Sequence, residues 1–169
     1  MDAATRILHG PVQNTCGGIH GLVSESEWTG VPVRYLLEEA GIRPEGGWVI
    51  ADGADAARMA RSIPFQKLFD DAIIALYQNG EPLRPENGYP MRLFLPGWEG
   101  NASIKWLQNL VVTNQPAYSK DETSKYTDRD ADGRAAMFTF EMGVKSFITS
   151  PSLGLDMGCL LYTSDAADE

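Results

Sequence analysis

Side chains suited to metal binding or nucleophilic chemistry are scarce in this 169-residue chain. The sequence contains two cysteines, Cys16 and Cys159, and two histidines, His9 and His20. A closed zinc site needs four ligands at short spacings, so neither a zinc pattern nor a disulfide framework is present. Cys16 is flanked by glycine, where a thiol in an electropositive pocket can bind a soft metal, whereas His20 is more typical of a structural histidine.

Three further residues carry a charge or a phenol near predicted turns. Asp55 follows Gly53-Ala54, where an acceptor-only carboxylate either serves a ligand or belongs to an ordinary turn. Arg92 precedes an apolar run, a position equally consistent with an edge-strand cation whose head is solvated. Tyr126 lies in a polar stretch, where a tyrosine is more often a partly exposed surface residue. Ligand-binding and surface roles therefore stay open for all three.

The charge balance limits the classes of partner. The chain has 14 Lys and Arg residues against 23 Asp and Glu residues, a formal net charge of −9. Polyphosphates and anionic membranes must be met by clustered cations, so we expect no nucleic-acid partner, and a small anionic ligand needs a local basic pocket. No apolar run approaches the roughly 20 residues that cross a bilayer, so we expect no membrane span.

The elements that must position these residues are short. With 17 glycines and 10 prolines, the composition favours a turn-rich fold of short strands over a helical bundle. The patterns predict strands over residues 48–51, 72–77, 91–95 and 104–113, a helix that starts near Pro32 and ends at Gly41, a helical turn over residues 62–69, and a hairpin at Asn79-Gly80. This mixture predicts an α+β fold.

The second half of the chain changes composition twice. Residues 118–134 are polar and predict a surface loop, and residues 138–149 alternate in a way typical of a strand or extended segment. The composition changes again from residue 151, and residues 159–169 have no evident place in a core. We therefore predict one partial domain over residues 1–152 and a non-native or disordered tail over residues 153–169.

Six ordered segments are together more specific than any short motif. They are GLVSESEWTGVP from residue 21, GAD from residue 53, QNGEPLRPENGYPMR from residue 78, PGWEGN from residue 96, KWL from residue 105 and ETSKYT from residue 122. In this order and spacing they resemble the molybdopterin-binding domain of the sulfite oxidase family, in particular its bacterial sulfite dehydrogenase branch from the sulfur-oxidation pathway. The resemblance covers residues 12–152.

The resemblance implies a mixed, β-rich α+β fold of the sulfite oxidase type and a molybdenum–molybdopterin cofactor held in part by one cysteine thiolate. It implies oxidation of sulfite, or of a carrier-bound sulfur, to sulfate by oxo transfer, with the cofactor performing the chemistry. It implies a small oxyanion or carrier-bound sulfur substrate, a cytochrome c electron acceptor, and a homodimer or a heterotetramer with a cytochrome subunit. It also implies a periplasmic protein.

Three site residues follow from this resemblance. Tyr126 matches a tyrosine whose hydroxyl faces the substrate pocket, where a phenol donor stabilises developing negative charge. Arg92 matches an arginine that contacts the cofactor's phosphate, and Asp55 matches a carboxylate that accepts from pterin N–H groups. We expect Trp28 and Trp106 to lie in the core instead.

Four more cofactor-binding residues are implied. Ser103, Ile104 and Lys105 match the segment that wraps the pterin through main chain and side chain. Asn87 stands where many relatives have a histidine, and its amide can still donate a hydrogen bond there.

The sequence departs from the family at the metal ligand. The family's cysteine lies in a Cys-x-Gly-Asn motif well before the segment around Trp28, and this chain has no such motif. Cys16 lies only 12 residues before Trp28 and has the wrong neighbours. We therefore assign no metal ligand and expect an internal piece, truncated before an immunoglobulin-like dimerisation domain and inactive by itself.

Two other functions remain open. One is another enzyme of the same fold, of the nitrate reductase or methionine sulfoxide reductase type, although the segments over residues 98–101 and 122–126 favour the sulfite branch. The other is a non-catalytic module that kept the fold without the metal-ligating cysteine. A Cys-x-Gly-Asn motif upstream would exclude the latter.

Overall fold

Short strands and two brief helices build the part of the chain that the computed structural model describes, residues 25–42, 47–129 and 131–144. The strands and helices are β1 (Trp28–Pro32), α1 (Val33–Glu39), β2 (Trp48–Gly53), β3 (Ala60–Pro64), α2 (Phe65–Asp70), β4 (Ile73–Gln78), β5 (Glu81–Pro82), β6 (Arg92–Phe94), β7 (Leu107–Thr113), β8 (Asp128–Arg129) and β9 (Ala135–Ala136). Single helical turns cover Pro85–Asn87, Gly100–Ala102 and Asp121–Lys125, the last of π type. The predicted α+β class is confirmed.

Two antiparallel sheets carry these elements. In the first sheet β4 is central, with β1 along one edge and β5 and β6 along different halves of the other. In the second sheet β2 lies between β3 and β7. Strands β8 and β9 form a separate pair. Every pairing is antiparallel. A tight turn joins β4 to β5, whereas β1 pairs with β4, and β2 with β7, although other elements lie between them in the chain.

Prolines mark the points where strand becomes helix. Pro32 and Pro64 both stand directly before a helix, and the missing N–H of proline costs nothing at that position. Helix α1 ends before Gly41, whose φ is +72°. The helical turn predicted over residues 62–69 is wrong in its first part, because Ile63 precedes a proline and is held extended in β3.

The predicted hairpin at Asn79-Gly80 is confirmed. Both residues have positive φ, 53° and 78°, as the two central positions of a type I′ turn require. The turn joins β4 to β5 and brings Gln78 opposite Glu81.

A cluster of buried apolar side chains forms the core. Its members are Val33, Leu37, Val49, Ala51, Ile63, Phe65, Leu68, Ala72, Ile74, Leu93, Leu95, Ala102 and Ile104. Full burial of one such large side chain contributes roughly 1.5–3 kcal/mol. Two charged side chains, Arg61 and Glu122, are equally buried. None of the helices in the described part of the chain has the length and apolar composition needed to cross a bilayer.

Two predictions from the second half are partly wrong. The surface loop predicted over residues 118–134 contains buried residues, because Asp121 and Glu122 are turned into the protein by the π turn. Residues 138–144 form no regular strand, although Glu141 makes an isolated bridge with Trp98. Cys16, His20 and the tail over residues 153–169 lie outside the described residues, so the predicted domain boundary stays a prediction.

Candidate functional site

Arg92 forms the centre of a basic cluster at the start of β6. Its two terminal nitrogens donate to the backbone carbonyls of Asn87 at 3.2 Å and Ser103 at 3.3 Å, and its guanidinium lies 4.8 Å from the Trp28 ring centroid. The buried Nε has no hydrogen-bond partner among the described residues. Burial lowers the pKa of Arg92 because the loss of water disfavours the charged form. The cation is thus fixed by neutral groups and keeps a donor for an anion.

Lys105 adds a second positive charge beside Arg92. Its pKa is lowered, first by burial and then by repulsion from Arg92, while Glu86 acts in the opposite direction. The ammonium donates to the Glu86 carbonyl oxygen at 2.6 Å and lies 5.6 Å from the Trp106 ring centroid. Two neighbouring cations held largely by carbonyls and rings suit an anion, since its charge would relieve their repulsion.

Gly88 allows the turn after Pro85–Asn87 to lie against both cations. Its φ is +109°, and a Cβ there would lie 3.1 Å from the Cα of Lys105 and 3.2 Å from the Cβ of Arg92. Only glycine combines this backbone conformation with so close an approach. The glycine therefore fixes the distance between the turn and the two basic residues.

The change Gly88→Ala is expected to lower the free energy of unfolding by about 2–4 kcal/mol, because a strained φ and overpacking each cost roughly 1–3 kcal/mol. The matched control is Gly80→Ala, which has a φ of +78° but open space around its Cβ, so it should lose about 1–2 kcal/mol. Urea unfolding measures both. Equal losses of unfolding free energy in the two variants would show that the close approach of Gly88 to Lys105 and Arg92 does not contribute to the effect.

Asp55 is both a turn residue and part of a cavity wall. Its Oδ1 accepts from the backbone N–H of Met59 at 2.9 Å, and its carbonyl accepts from Arg58 at 2.9 Å. It also borders a cavity of about 460 Å³. The other lining residues are Ala54, Ala56, Pro90, Trp106, Leu107 and Gln108. The turn role and the ligand-binding role of the Asp55 carboxylate are therefore compatible.

Trp106 links the Asp55 cavity to the basic cluster. A core position was expected, but the residue is half-buried and lines the cavity, because its φ of +49° turns the chain before β7 begins. Its Nε1 donates to the Pro85 carbonyl at 2.9 Å. Gly53 closes the same corner, since a Cβ there would lie 2.6 Å from the Lys105 carbonyl oxygen.

Asn87 belongs to a chain of side-chain amides. Its Nδ2 donates to Gln78 Oε1 at 2.7 Å, and Gln78 Nε2 donates to Ser26 Oγ at 2.9 Å. Both amides line a second cavity of about 310 Å³, whose other residues are Asn79, Glu81, Pro82 and Arg84. The Asn87 carbonyl holds Arg92, so this residue connects the second cavity to the basic cluster.

The side chains of Ser103 and Ile104 serve the fold. Ser103 Oγ accepts from the backbone N–H of Leu95 at 3.1 Å, and Ile104 is 2% exposed within the core. Their contribution to the basic cluster comes from the main chain, through the Ser103 carbonyl that accepts from Arg92. The structure thus brings Asn87, Arg92, Ser103 and Lys105 together, with Ile104 behind them.

Tyr126 lies at the end of the π turn and faces β3. Its backbone N–H donates to the Asp121 carbonyl at 3.1 Å, and the side chain is half-buried. The guanidinium carbon of Arg61 lies 4.7 Å from its ring centroid, within the range of a cation–π interaction. The tyrosine predicted to be catalytic is therefore packed on a buried cation.

Sequence reasoning missed the Arg61–Glu122 pair next to Tyr126. Both side chains are fully buried, with Arg61 Nε 2.9 Å from Glu122 Oε1. Three successive residues of β3, from Arg61 to Ile63, are buried, so the strand shows no alternation that marks Arg61 as internal. The one usable signal was that Glu122 begins the same segment that carries Tyr126.

Both the sequence and the fold are similar to those of known proteins. The family model of the oxidoreductase molybdopterin binding domain matches residues 5–120. The sulfane dehydrogenase SoxCD of Paracoccus pantotrophus superposes with a TM-score of 0.82 at 46% identity, over 89% of this chain and 39% of that chain.

Plant nitrate reductases are also similar in sequence. NADH nitrate reductase 2 of Phaseolus vulgaris is 37% identical over 57% of this chain, and inducible NADH nitrate reductase 2 of Glycine max is 33% identical over 76% of it. The chain spans 12% and 17% of those two proteins.

Proposed function

The chain belongs to the oxidoreductase molybdopterin binding domain family, and we propose from this premise that its protein oxidises sulfite or a carrier-bound sulfur to sulfate. The family and the likeness to SoxCD confirm the predicted molybdenum–molybdopterin cofactor and the sulfite-oxidase-type fold. The observation that carries the sulfur substrate is the 46% identity to a sulfane dehydrogenase over 89% of the chain, against 37% to a nitrate reductase over 57%.

The residues of the basic cluster fit a cofactor that ends in a phosphate. Arg92 has a buried Nε without a hydrogen-bond partner in the described part of the chain, and Lys105 lies beside it. In our proposal these two side chains hold the phosphate. Asp55 accepts hydrogen bonds from the pterin, and Asn87 donates one to it. The main chain of Ser103 and Ile104 lies along it. When bound, the cofactor supplies two-electron redox chemistry and oxygen-atom exchange.

Tyr126 is proposed as the catalytic side chain. Its hydroxyl would donate a hydrogen bond to negative charge that develops on the sulfur oxyanion during oxidation, which lowers the barrier more than it strengthens substrate binding. Sulfite and water together yield sulfate, two protons and two electrons, and the electrons leave one at a time to a cytochrome c. The Tyr126 ring is half-buried and packs against the guanidinium of Arg61, which keeps the phenol in place for this task.

Assembly and location are proposed on the likeness to SoxCD. A homodimer or a heterotetramer with a cytochrome subunit, in the periplasm, fits a two-electron donor that must reach a one-electron acceptor. The described residues include no cysteine, so the cysteine ligand of the molybdenum is sought outside them.

The substrate assignment is tested with the full-length protein loaded with its cofactor. Cytochrome c reduction with sulfite should exceed reduction of nitrate by a viologen donor by at least about 100-fold in kcat/KM, or roughly 2.7 kcal/mol of barrier. Faster nitrate reduction would assign the nitrate reductase type instead. Bound cofactor without turnover of either substrate would assign a carrier-bound sulfur as the substrate, and failure to oxidise that sulfur as well would favour a non-catalytic module.

The change Tyr126→Phe removes only the phenol hydroxyl. We expect kcat to fall by about 10-fold or more, roughly 1.4 kcal/mol of barrier, with little change in cofactor content. Steady-state sulfite oxidation measures the effect. Tyr118→Phe, at a ring that is 67% exposed, is the matched control and should keep its rate. A Tyr126→Phe enzyme with an unaltered rate would remove this residue from the active site.

A further inference from the structure

Two opposite charges lie fully buried between β3 and the π turn that ends at Tyr126. Arg61 and Glu122 each have 0% of their side chain exposed, and their Nε and Oε1 atoms are 2.9 Å apart. The pair lies outside the basic cluster around Arg92, and neither residue is needed for the proposed cofactor contacts. Its location next to the proposed catalytic tyrosine calls for a physical reason.

The contacts of the pair fix the tyrosine-bearing turn to the sheet. Glu122 Oε1 also accepts from the backbone N–H of Ser62 at 2.8 Å, so one carboxylate oxygen binds both the side chain and the main chain of β3. Arg61 donates a further hydrogen bond to the Oδ1 of Asn101. The flat guanidinium, held from two directions, then lies 4.7 Å from the Tyr126 ring centroid.

Stability alone does not account for this arrangement. A buried ion pair loses the hydration of both charges, and well-packed apolar side chains of similar size often stabilise a protein as well or better. This pair is also incompletely satisfied, because Arg61 Nη2 and Glu122 Oε2 have no hydrogen-bond partner among the described residues. What the pair provides that apolar side chains lack is a planar, directionally fixed surface for an aromatic ring.

We propose that Arg61 and Glu122 are positioning residues that hold the Tyr126 ring in the orientation used during substrate oxidation. The inference rests on the proposed function, since it gives Tyr126 the catalytic role argued above. Glu122 orients the guanidinium, and the guanidinium orients the ring. A lysine at position 61 would keep the charge but lose both the flat face and the fork of donors.

The test uses the full-length, cofactor-loaded protein and two variants, Arg61→Lys and Arg61→Met/Glu122→Gln. In the double variant the neutral glutamine can still accept from Ser62. For both, we expect kcat to fall about 10-fold with KM changed less than twofold, and amide exchange in the peptide over residues 119–127 to accelerate at least 10-fold. Adding Tyr126→Phe to the double variant should lower kcat less than twofold further.

Asp71→Asn is the matched control, because it weakens a partly exposed ion pair with Lys67 and should change neither readout. Unchanged amide exchange in both variants overturns the positioning role, and so does an exchange change without loss of kcat while Tyr126→Phe is impaired. If Tyr126→Phe itself keeps full activity, the proposed catalytic role fails, whereas faster exchange in the variants still supports positioning of the turn. The two failures are therefore distinguishable.

Discussion

Replacement of Arg92 by alanine is expected to weaken cofactor binding by at least about 100-fold, or 2.8 kcal/mol. The guanidinium is half-buried and held by the carbonyls of Asn87 and Ser103, with one buried donor left over. An anionic phosphate would supply the charge that these neutral partners lack. Truncation of one partner of a buried, hydrogen-bonded charge pair costs about 2–5 kcal/mol, much of it from the other charge left unpaired.

The measurement is the molybdopterin content and cofactor affinity of the purified full-length protein. Arg34→Ala is the matched control, because that arginine is exposed and, within the described part of the chain, donates to the neighbouring Tyr35 at 3.2 Å, so it should leave both values unchanged. Arg92→Lys should fall between the two, since an ammonium keeps the charge without the planar fork. Normal cofactor affinity in Arg92→Ala would remove this residue from the phosphate site.

A stability measurement separates this binding effect from damage to the fold. In the protein without cofactor, Arg92 is a partly desolvated cation with no carboxylate at ion-pair distance among the described residues, and its lowered pKa reflects that burial. Its removal should therefore change the free energy of unfolding by no more than about 2 kcal/mol, because two hydrogen bonds are lost while a desolvated charge is removed. A binding site of this kind is built at some expense of stability, and the unsatisfied donor is the sign of it.

Local chain chemistry explains which parts of the fold were predictable. Pro32 and Gly41 mark the two ends of a helix because of their own backbone restrictions. Asn79-Gly80 forms a hairpin because both residues tolerate positive φ. These signals act over a few residues and do not depend on the rest of the protein. The α+β class follows from their density along the chain.

The predictions that were wrong concern residues whose position depends on contacts distant in sequence. Glu122 lies in a segment whose composition is that of a surface loop, yet it is buried because Arg61, 61 positions away, supplies the opposite charge. Composition cannot indicate such a partner. Trp106 likewise lies outside the core. The close approach of Gly53 to the Lys105 carbonyl and the positive φ of Trp106 itself direct its side chain toward the cavity wall.

The candidate site also has a part that the sequence predicts and a part that only the structure supplies. The resemblance of ordered segments selected Asn87, Arg92 and Lys105, and the structure shows that these three lie together. The resemblance does not separate the two roles, since it implies both main-chain and side-chain contacts for Ser103 and Ile104. The structure places their side chains against Leu95 and in the core. A motif specifies where the chain passes, whereas packing decides which atoms remain for a ligand.

The change Glu122→Gln is expected to lower the free energy of unfolding by about 3–5 kcal/mol. The amide keeps the shape of the side chain and an acceptor for Ser62, but it leaves the charge of Arg61 uncompensated in the interior. Urea unfolding of the full-length protein, followed by far-ultraviolet circular dichroism, measures the loss.

The double change Arg61→Met/Glu122→Gln should recover most of that stability, since it removes the uncompensated charge together with its desolvation cost. A double-mutant cycle would then give a coupling energy of several kcal/mol between the two positions, far above the roughly 0–1 kcal/mol expected of an exposed pair such as Arg84–Glu81. A Glu122→Gln protein as stable as the parent would show that water or another group reaches Arg61. Recovery of stability without recovery of Tyr126-dependent turnover would establish that folding and orientation of the tyrosine are separate demands on the same pair, because only the second needs the flat, fixed face of the guanidinium.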